Sequence, residues 1–440
     1  MMLIEQVASA LQDVLTTIAQ RLARETEFVQ RESKLDGARF VQTLVFTYLA
    51  NPDATLEELA QPAAALNVEI TPEGLTQRFS AAAAPFLQQV LAEAVKRVLA
   101  GEPLAIALLA RFEGVDREDS TTIVLPEALQ AVWQGSGNGS DQGNAALKVN
   151  LRLNLTPGLL AQLTLHDGRV HDSQASQPIS PLPAGALFLA DLGDFSLARL
   201  ARLAQHNSYL LSRLQAQTTV FTADGKRWDD VTEFLASQGE QVDLAVTLGR
   251  RQRLNARLLA VRVPQEVADQ RRRRLRAEAK RKGQTVSARR LALAAWTLFI
   301  TNAPAERVSV AAALVLGRTR WQLELLFKLW KRHGRIDESR AEKPWRVWCD
   351  VYAKLLAMVV QHWIGLTSVW DYPDRSLVKA AQTVQKDALP LAGGLWRYQR
   401  TVETLETLAR CMAAGCRMNP RKKHPNTYQL LEAMAENALA

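Results

Sequence analysis

The segment Ala186-Leu-Phe-Leu-Ala190 is an unbroken apolar run that ends on Asp191. A strand with one wet face alternates apolar and polar residues, so a run without alternation belongs at the centre of a sheet covered on both faces by helices. That requirement makes the chain α/β. The flanks agree: residues 196–205 have helical periodicity opened by Ser196, and residues 209–214 read as a second strand, giving a strand, helix, strand unit. Upstream, residues 121–125, 148–155 and 159–166 read as strands, the last two joined as a hairpin at Thr156-Pro157-Gly158. The Gly- and Ser-rich run from Gly135 to Gly143 predicts a loop.

Helical spacing dominates both ends. Val7, Leu11, Leu15, Ile18 and Leu22, then Phe40, Leu44, Leu49, Leu56 and Leu59, predict four or five N-terminal helices over residues 1–100. Residues 215–301 alternate again (Thr218, Val220, Thr222; Val242, Leu244, Val246) and predict a β-rich insertion. Within it, residues 264–282 form a helix with Pro near its start and Gly283 past its end, carrying Arg271, Arg272, Arg273, Arg274, Arg276, Lys280, Arg281 and Lys282. From Ser309 onward the pattern is mostly helical.

Composition narrows the partners. A chain of 440 residues with 48% hydrophobic content buries a core of several domains, which excludes a disordered or collagen-like protein. Lys and Arg number 54 against 45 Asp and Glu, a net charge of +9, with Arg in large excess over Lys. Because the guanidinium fork pairs bidentately with phosphate, that excess points to a polyanion such as nucleic acid. The basic helix and the Arg421-Lys-Lys-His-Pro425 tail are candidate DNA contacts. Three cysteines cannot build a disulfide framework and fit a reducing cytosol, while six scattered histidines give no zinc motif. No apolar stretch is long enough to span a membrane, and the N-terminus lacks a secretion pattern.

Three acids stand out: Asp119 by the first strand, Asp191 after the central one, and Glu324 on a later helix, with Asp116 a second candidate for the first position. Arg320, Glu324, Lys328 and Lys331 fall on one face of that helix, beside an apolar face of Leu323, Phe327 and Trp330. Alone, such a face is a ladder of weak ion pairs. The stretch Arg320-Trp-Gln-Leu-Glu-Leu-Leu-Phe-Lys-Leu-Trp-Lys331, however, closely resembles the signature of DDE transposases of the insertion-sequence-four family, and Arg320, Glu324 and Lys331 keep its spacing. Asp119-Ser-Thr-Thr-Ile-Val-Leu-Pro126 resembles the first-aspartate motif. Leu189-Ala-Asp191-Leu-Gly-Asp-Phe-Ser196 with Tyr209-Leu-Leu-Ser-Arg213 resembles the second. Gly317 stands where the family has Tyr, and Asp194 where it often has another.

The resemblance implies a ribonuclease-H-like mixed sheet, with its catalytic core in two parts (residues 101–214 and 303–370) around the β-rich insertion (215–302). A DNA-binding helical domain (1–100) precedes it, and a dimerising helical domain (371–440) follows. It implies Asp119, Asp191 and Glu324 as catalytic, metal-binding residues. Converging carboxylates repel by about 4 kcal/mol per pair at roughly 4 Å and an effective dielectric near 20, so they need cations, and hard oxygen ligands select Mg²⁺ or Mn²⁺. Two ions, roughly 3.5–4 Å apart, would serve cleavage at transposon ends and strand transfer into target DNA. Arg320, Lys331, Lys328, Arg213, Arg272, Arg273 and Arg276 are expected to hold DNA backbone. Trp296, 21 residues before Gly317, is expected to stack on a flipped base or else to open a core strand. The expected partner is double-stranded DNA, transposon ends and target, bound by a homodimer whose interface the apolar C-terminal helices (345–366, 395–412) provide. The expected setting is the bacterial cytoplasm at the nucleoid. The competing readings are a repurposed DNA-end-binding protein and a ribonuclease-H-like nuclease without strand transfer.

Overall fold

The computed structural model describes residues 2–31, 34–104, 106–135, 145–171, 182–192, 195–281, 283–370, 372, 374–419, 429–430 and 433, and for 320–322 the backbone alone. Nearly all of the Gly135–Gly143 loop, Asp194, Lys282 and the 421–425 tail lie outside these residues. Among them ten strands form: β1 (Val115–Leu125), β2 (Ala145–Asn154), β3 (Leu159–Asp167), β4 (Leu187–Ala190), β5 (Tyr209–Arg213), β6 (Val220–Thr222), β7 (Arg227–Trp228), β8 (Gln241–Leu248), β9 (Leu254–Arg262) and β10 (Trp296–Thr301). Contacts divide the chain into two units. The first takes residues Met1–Ala105, Ser120–His171 and Gln322–His424, the second Ile106–Asp119, Asp172–Trp321 and Pro425–Ala440.

In the second unit the first half of β1 runs parallel to β4, and β4 parallel to β5. The helix Leu197–Gln205 crosses over between β4 and β5, because parallel neighbours need a connection that returns to the starting end. Antiparallel pairing then adds β10 to β5, β9 to β10, β8 to β9, β6 to β8 and β7 to β6. The strands of the β-rich stretch therefore extend this unit's sheet rather than close on themselves. Phe188, Ala190, Leu200, Leu203, Leu210, Val246 and Leu258 share one buried cluster, so the apolar run is central as its sequence demands.

β1 corrects the sequence reading, which starts the strand at residue 121 and leaves Asp119 outside. The strand begins at Val115, and Asp116, Arg117 and Glu118 are each at most 4% exposed. Buried charges are tolerable when paired, and Glu118 accepts from the buried Arg199 on the crossover helix. A polar stretch with its partner 81 residues away carries no local strand signal.

The first unit is built around the helix Pro344–Leu366, which is buried along most of its length and packs on the helices Gly37–Ala50 and Ala83–Val95. The apolar character of residues 345–366 is thus explained by this unit's own core. The N-terminal helices have clear local causes: Asp36 caps Gly37–Ala50 through the Arg39 N–H, and Thr55 with Glu58 forms a capping box. A Cβ at Gly37 would stand 2.2 Å from the Ala23 Cβ, so only glycine lets these helices approach.

β2 and β3 pair antiparallel, and the turn falls at the expected Thr156-Pro157-Gly158. Gly158 has φ +70°, and a Cβ there would lie 2.4 Å from the Trp370 ring. Trp370 donates its indole N–H to the Leu155 carbonyl, and His362 Nε2 lies 2.6 Å from the Gly158 carbonyl. Burial pushes the His362 imidazole down from 6.5 to about 4. Between those values the unfolded chain takes up a proton that the folded chain refuses, so stability falls as pH falls, by up to ~3 kcal/mol from this group. Urea unfolding at pH 7 and pH 4.5 should show that loss, and His362→Gln should flatten it; an equally steep decline in the variant rules His362 out as its source.

Candidate active site

The register between β1 and β4 organises the acids of the second unit. Val115 pairs with Leu187, Asp116 with Phe188 and Arg117 with Leu189. Asp119 lies two residues past Arg117, the last residue of that pairing, and Asp191 two past Leu189, just beyond the end of β4, so the register continued by two residues would bring them level. Paired residues of parallel strands share a face and successive residues alternate, so Asp119 lies on the face of β1 opposite Glu118 and Phe188. Asp116 falls on the Phe188 face. The two candidates for the first position therefore lie on opposite faces of β1. Asp119 and Asp191 are both half-buried.

Trp296, which the sequence offers as a base-stacking residue or a core strand opener, is the first residue of β10, across from Arg262. Its indole is half-buried and packs on the core cluster. Arg271, expected with the rest of the basic helix on DNA, donates to the Trp296 carbonyl (3.0 Å) and to Thr297 Oγ1 (3.1 Å). Burial, followed by the nearby charge of Arg213, holds its guanidinium below the ordinary arginine range. Arg213 itself is exposed at the end of β5. The run of four arginines is a clear signal of charge, but which of them turns inward depends on where β10 lies. Arg272 also turns in, to the Leu291 carbonyl (3.2 Å) and to Asp269 (2.8 Å). Arg273, Arg274, Arg276, Lys280 and Arg281 face solvent.

Gly317 has a steric cause. It ends the helix Val310–Leu316, and a Cβ there would stand 2.4 Å from the Phe299 ring of β10. The Phe299 side chain fills the space that any larger side chain at 317 would need.

Glu324 belongs to the first unit, on the helix Arg320–Arg332. Leu323, Leu326, Phe327 and Trp330 are buried, which leaves Glu324 half-buried and Lys328 exposed on the opposite side. Lys331, expected on phosphate, donates to the Thr122 carbonyl at 3.1 Å and lies 3.6 Å from Asp337. The Arg320 side chain is outside the described residues. Among the described residues, no three His, Cys, Asp or Glu side chains stand together as a metal-ligand set, and no helix is long and apolar enough to cross a membrane.

The second unit carries a mixed sheet in which β1, β4 and β5 are parallel, with Asp119 within β1 and Asp191 directly after β4. Residues 119–360 match the transposase DDE domain family, a span that opens on Asp119 and takes in Asp191 and Glu324. The chain belongs to that family. It is 26% identical over 360 residues to the transposase for insertion sequence element IS231F of Bacillus thuringiensis subsp. israelensis, covering 77% of this chain and 75% of the relative. To the IS231C transposase of B. thuringiensis subsp. berliner it is 28% identical over 365 residues, 78% of this chain and 76% of the relative. To the IS1151 transposase of Clostridium perfringens it is 23% identical over 407 residues, 86% and 83% of the two chains.

Proposed function

We propose that this chain cleaves DNA at the ends of a mobile element and transfers the freed 3′-hydroxyl into target DNA. The observation that supports the reading is the β1 and β4 register in a chain of the DDE family, which, continued two residues past Arg117 and Leu189, would bring Asp119 and Asp191 level. Glu324, held at the signature spacing on its helix, is assigned as the third acid. All three donors are hard oxygens, which suit Mg²⁺ or Mn²⁺, and bound there the ions would activate the attacking hydroxyl and stabilise the leaving oxygen. The protein's own side chains supply the rest. Arg213, Arg273, Arg276 and Lys328 are exposed cations suited to backbone phosphate, and Trp296 offers an indole for an unpaired base. Arg271 and Arg272 brace that surface from within. Pairing of two copies on two ends follows from the resemblance alone.

The test is incubation of the purified chain with a plasmid carrying the element's inverted ends. Nicking at the ends in Mg²⁺ or Mn²⁺, its loss in EDTA, and joining of pre-cut ends to a second plasmid are expected. End binding without nicking selects a repurposed DNA-binding protein, the reading that the occluded space at Gly317 favours. Nicking without joining selects a nuclease.

A further inference from the structure

We infer that Glu118 and Arg199 form a buried clamp that positions the Asp119 and Asp191 carboxylates, acting from the back of the sheet. The inference rests on the metal-binding reading of those two acids. Glu118 directly precedes Asp119 and points to the opposite face, where Arg199 donates to it. The two side chains are 5% and 1% exposed. The same guanidinium lies 4.6 Å from the centre of the Phe188 ring on β4. One side chain thus touches both strands that lead to the acids. It also reaches them from the helix that begins directly after the Asp191 turn, where Ser196 caps the Arg199 N–H.

Arg199 is an expensive choice for this position if packing were its sole purpose. Its Nε and Nη1 are buried with no hydrogen-bond partner, and a buried ion pair is commonly matched in stability by apolar residues of the same volume. What an apolar pair lacks is direction. One N–H of the guanidinium is held by Glu118 while its plane lies against Phe188, which ties β1 and β4 to the crossover helix and, through them, sets the separation of Asp119 and Asp191. Arg199 and Glu118 are therefore positioning residues, with no contact to substrate.

The experiment compares the full chain with Glu118→Leu/Arg199→Met, measuring thermal melting, end-DNA binding by gel shift, and Mn²⁺ binding without DNA by electron paramagnetic resonance. The expected result is melting and DNA binding close to wild type, with Mn²⁺ affinity lower by about tenfold or more, the size of effect seen when groups that orient metal ligands are removed. Mn²⁺ affinity equal to wild type in a folded double variant overturns the inference. Should that variant fail to fold, Arg199→Lys keeps the charge and loses the planar group that lies against Phe188; a severalfold weaker Mn²⁺ affinity with melting retained supports the clamp, and unchanged affinity overturns it. A wild-type chain that binds no Mn²⁺ overturns the metal assignment and the clamp together, so the two failures are distinguishable.

Discussion

Asp191→Asn yields a folded protein that still shifts end DNA in a gel and nicks it at least about a thousandfold more slowly, a loss of ~4 kcal/mol in transition-state stabilisation. The asparagine keeps the shape and one oxygen but removes the charge that a divalent ion needs. Asp119→Asn should match it, because the proposed reaction needs both carboxylates at one metal site. Glu324→Gln should fall by the same order, because ligands that act as one set are not additive and losing any member removes most of the effect. Asp116→Asn is the internal control. It lies on the other face of β1, so any loss should appear in melting temperature before it appears in nicking at saturating metal. Near-normal nicking by Asp191→Asn or Glu324→Gln would refute the assignment.

The second large effect lies in the first unit. Asp350 is 3% exposed and accepts from Tyr48 (2.5 Å), Ser339 Oγ (2.7 Å) and Arg346 Nε (2.7 Å). Burial, then the Asp350 charge, pushes the Tyr48 hydroxyl well above its ordinary value, so it remains a neutral donor. One turn along, Lys354 donates to the carbonyls of Arg335 and Glu338. These bonds tie the helix Gly37–Ala50 and the loop after the Glu324 helix to Pro344–Leu366. Asp350→Ala should cost about 3–5 kcal/mol in urea unfolding, because it strands a buried guanidinium and two hydroxyls. Asp350→Asn should cost less, since it can still accept. A loss under about 1 kcal/mol for the alanine variant would show that the network contributes little.

The central strand, the hairpin turn and the crossover helix were legible because each has a local cause: an unbroken apolar run, a Thr-Pro-Gly turn, and a serine cap before an amphipathic stretch. The beginning of β1 was not legible. Its residues are charged, and the partner that Glu118 meets, Arg199, arrives from a helix distant in sequence. The direction of the basic residues was hidden for a related reason. Composition shows that Arg271, Arg272 and Arg273 are cationic, but whether each meets solvent or a carbonyl of β10 or its neighbours depends on the packing of segments about 20 residues apart.

By itself the sequence determined the α/β class, the family motifs and the three acids in chain order, because apolar periodicity, turn chemistry and motif spacing are properties of contiguous residues. Tertiary structure decided on which face of β1 each aspartate lies, why position 317 is glycine, and that the apolar length of Pro344–Leu366 serves its own unit's core. Each of these depends on strand register or on a side chain brought in from elsewhere, and no local pattern encodes what a residue will meet across a sheet.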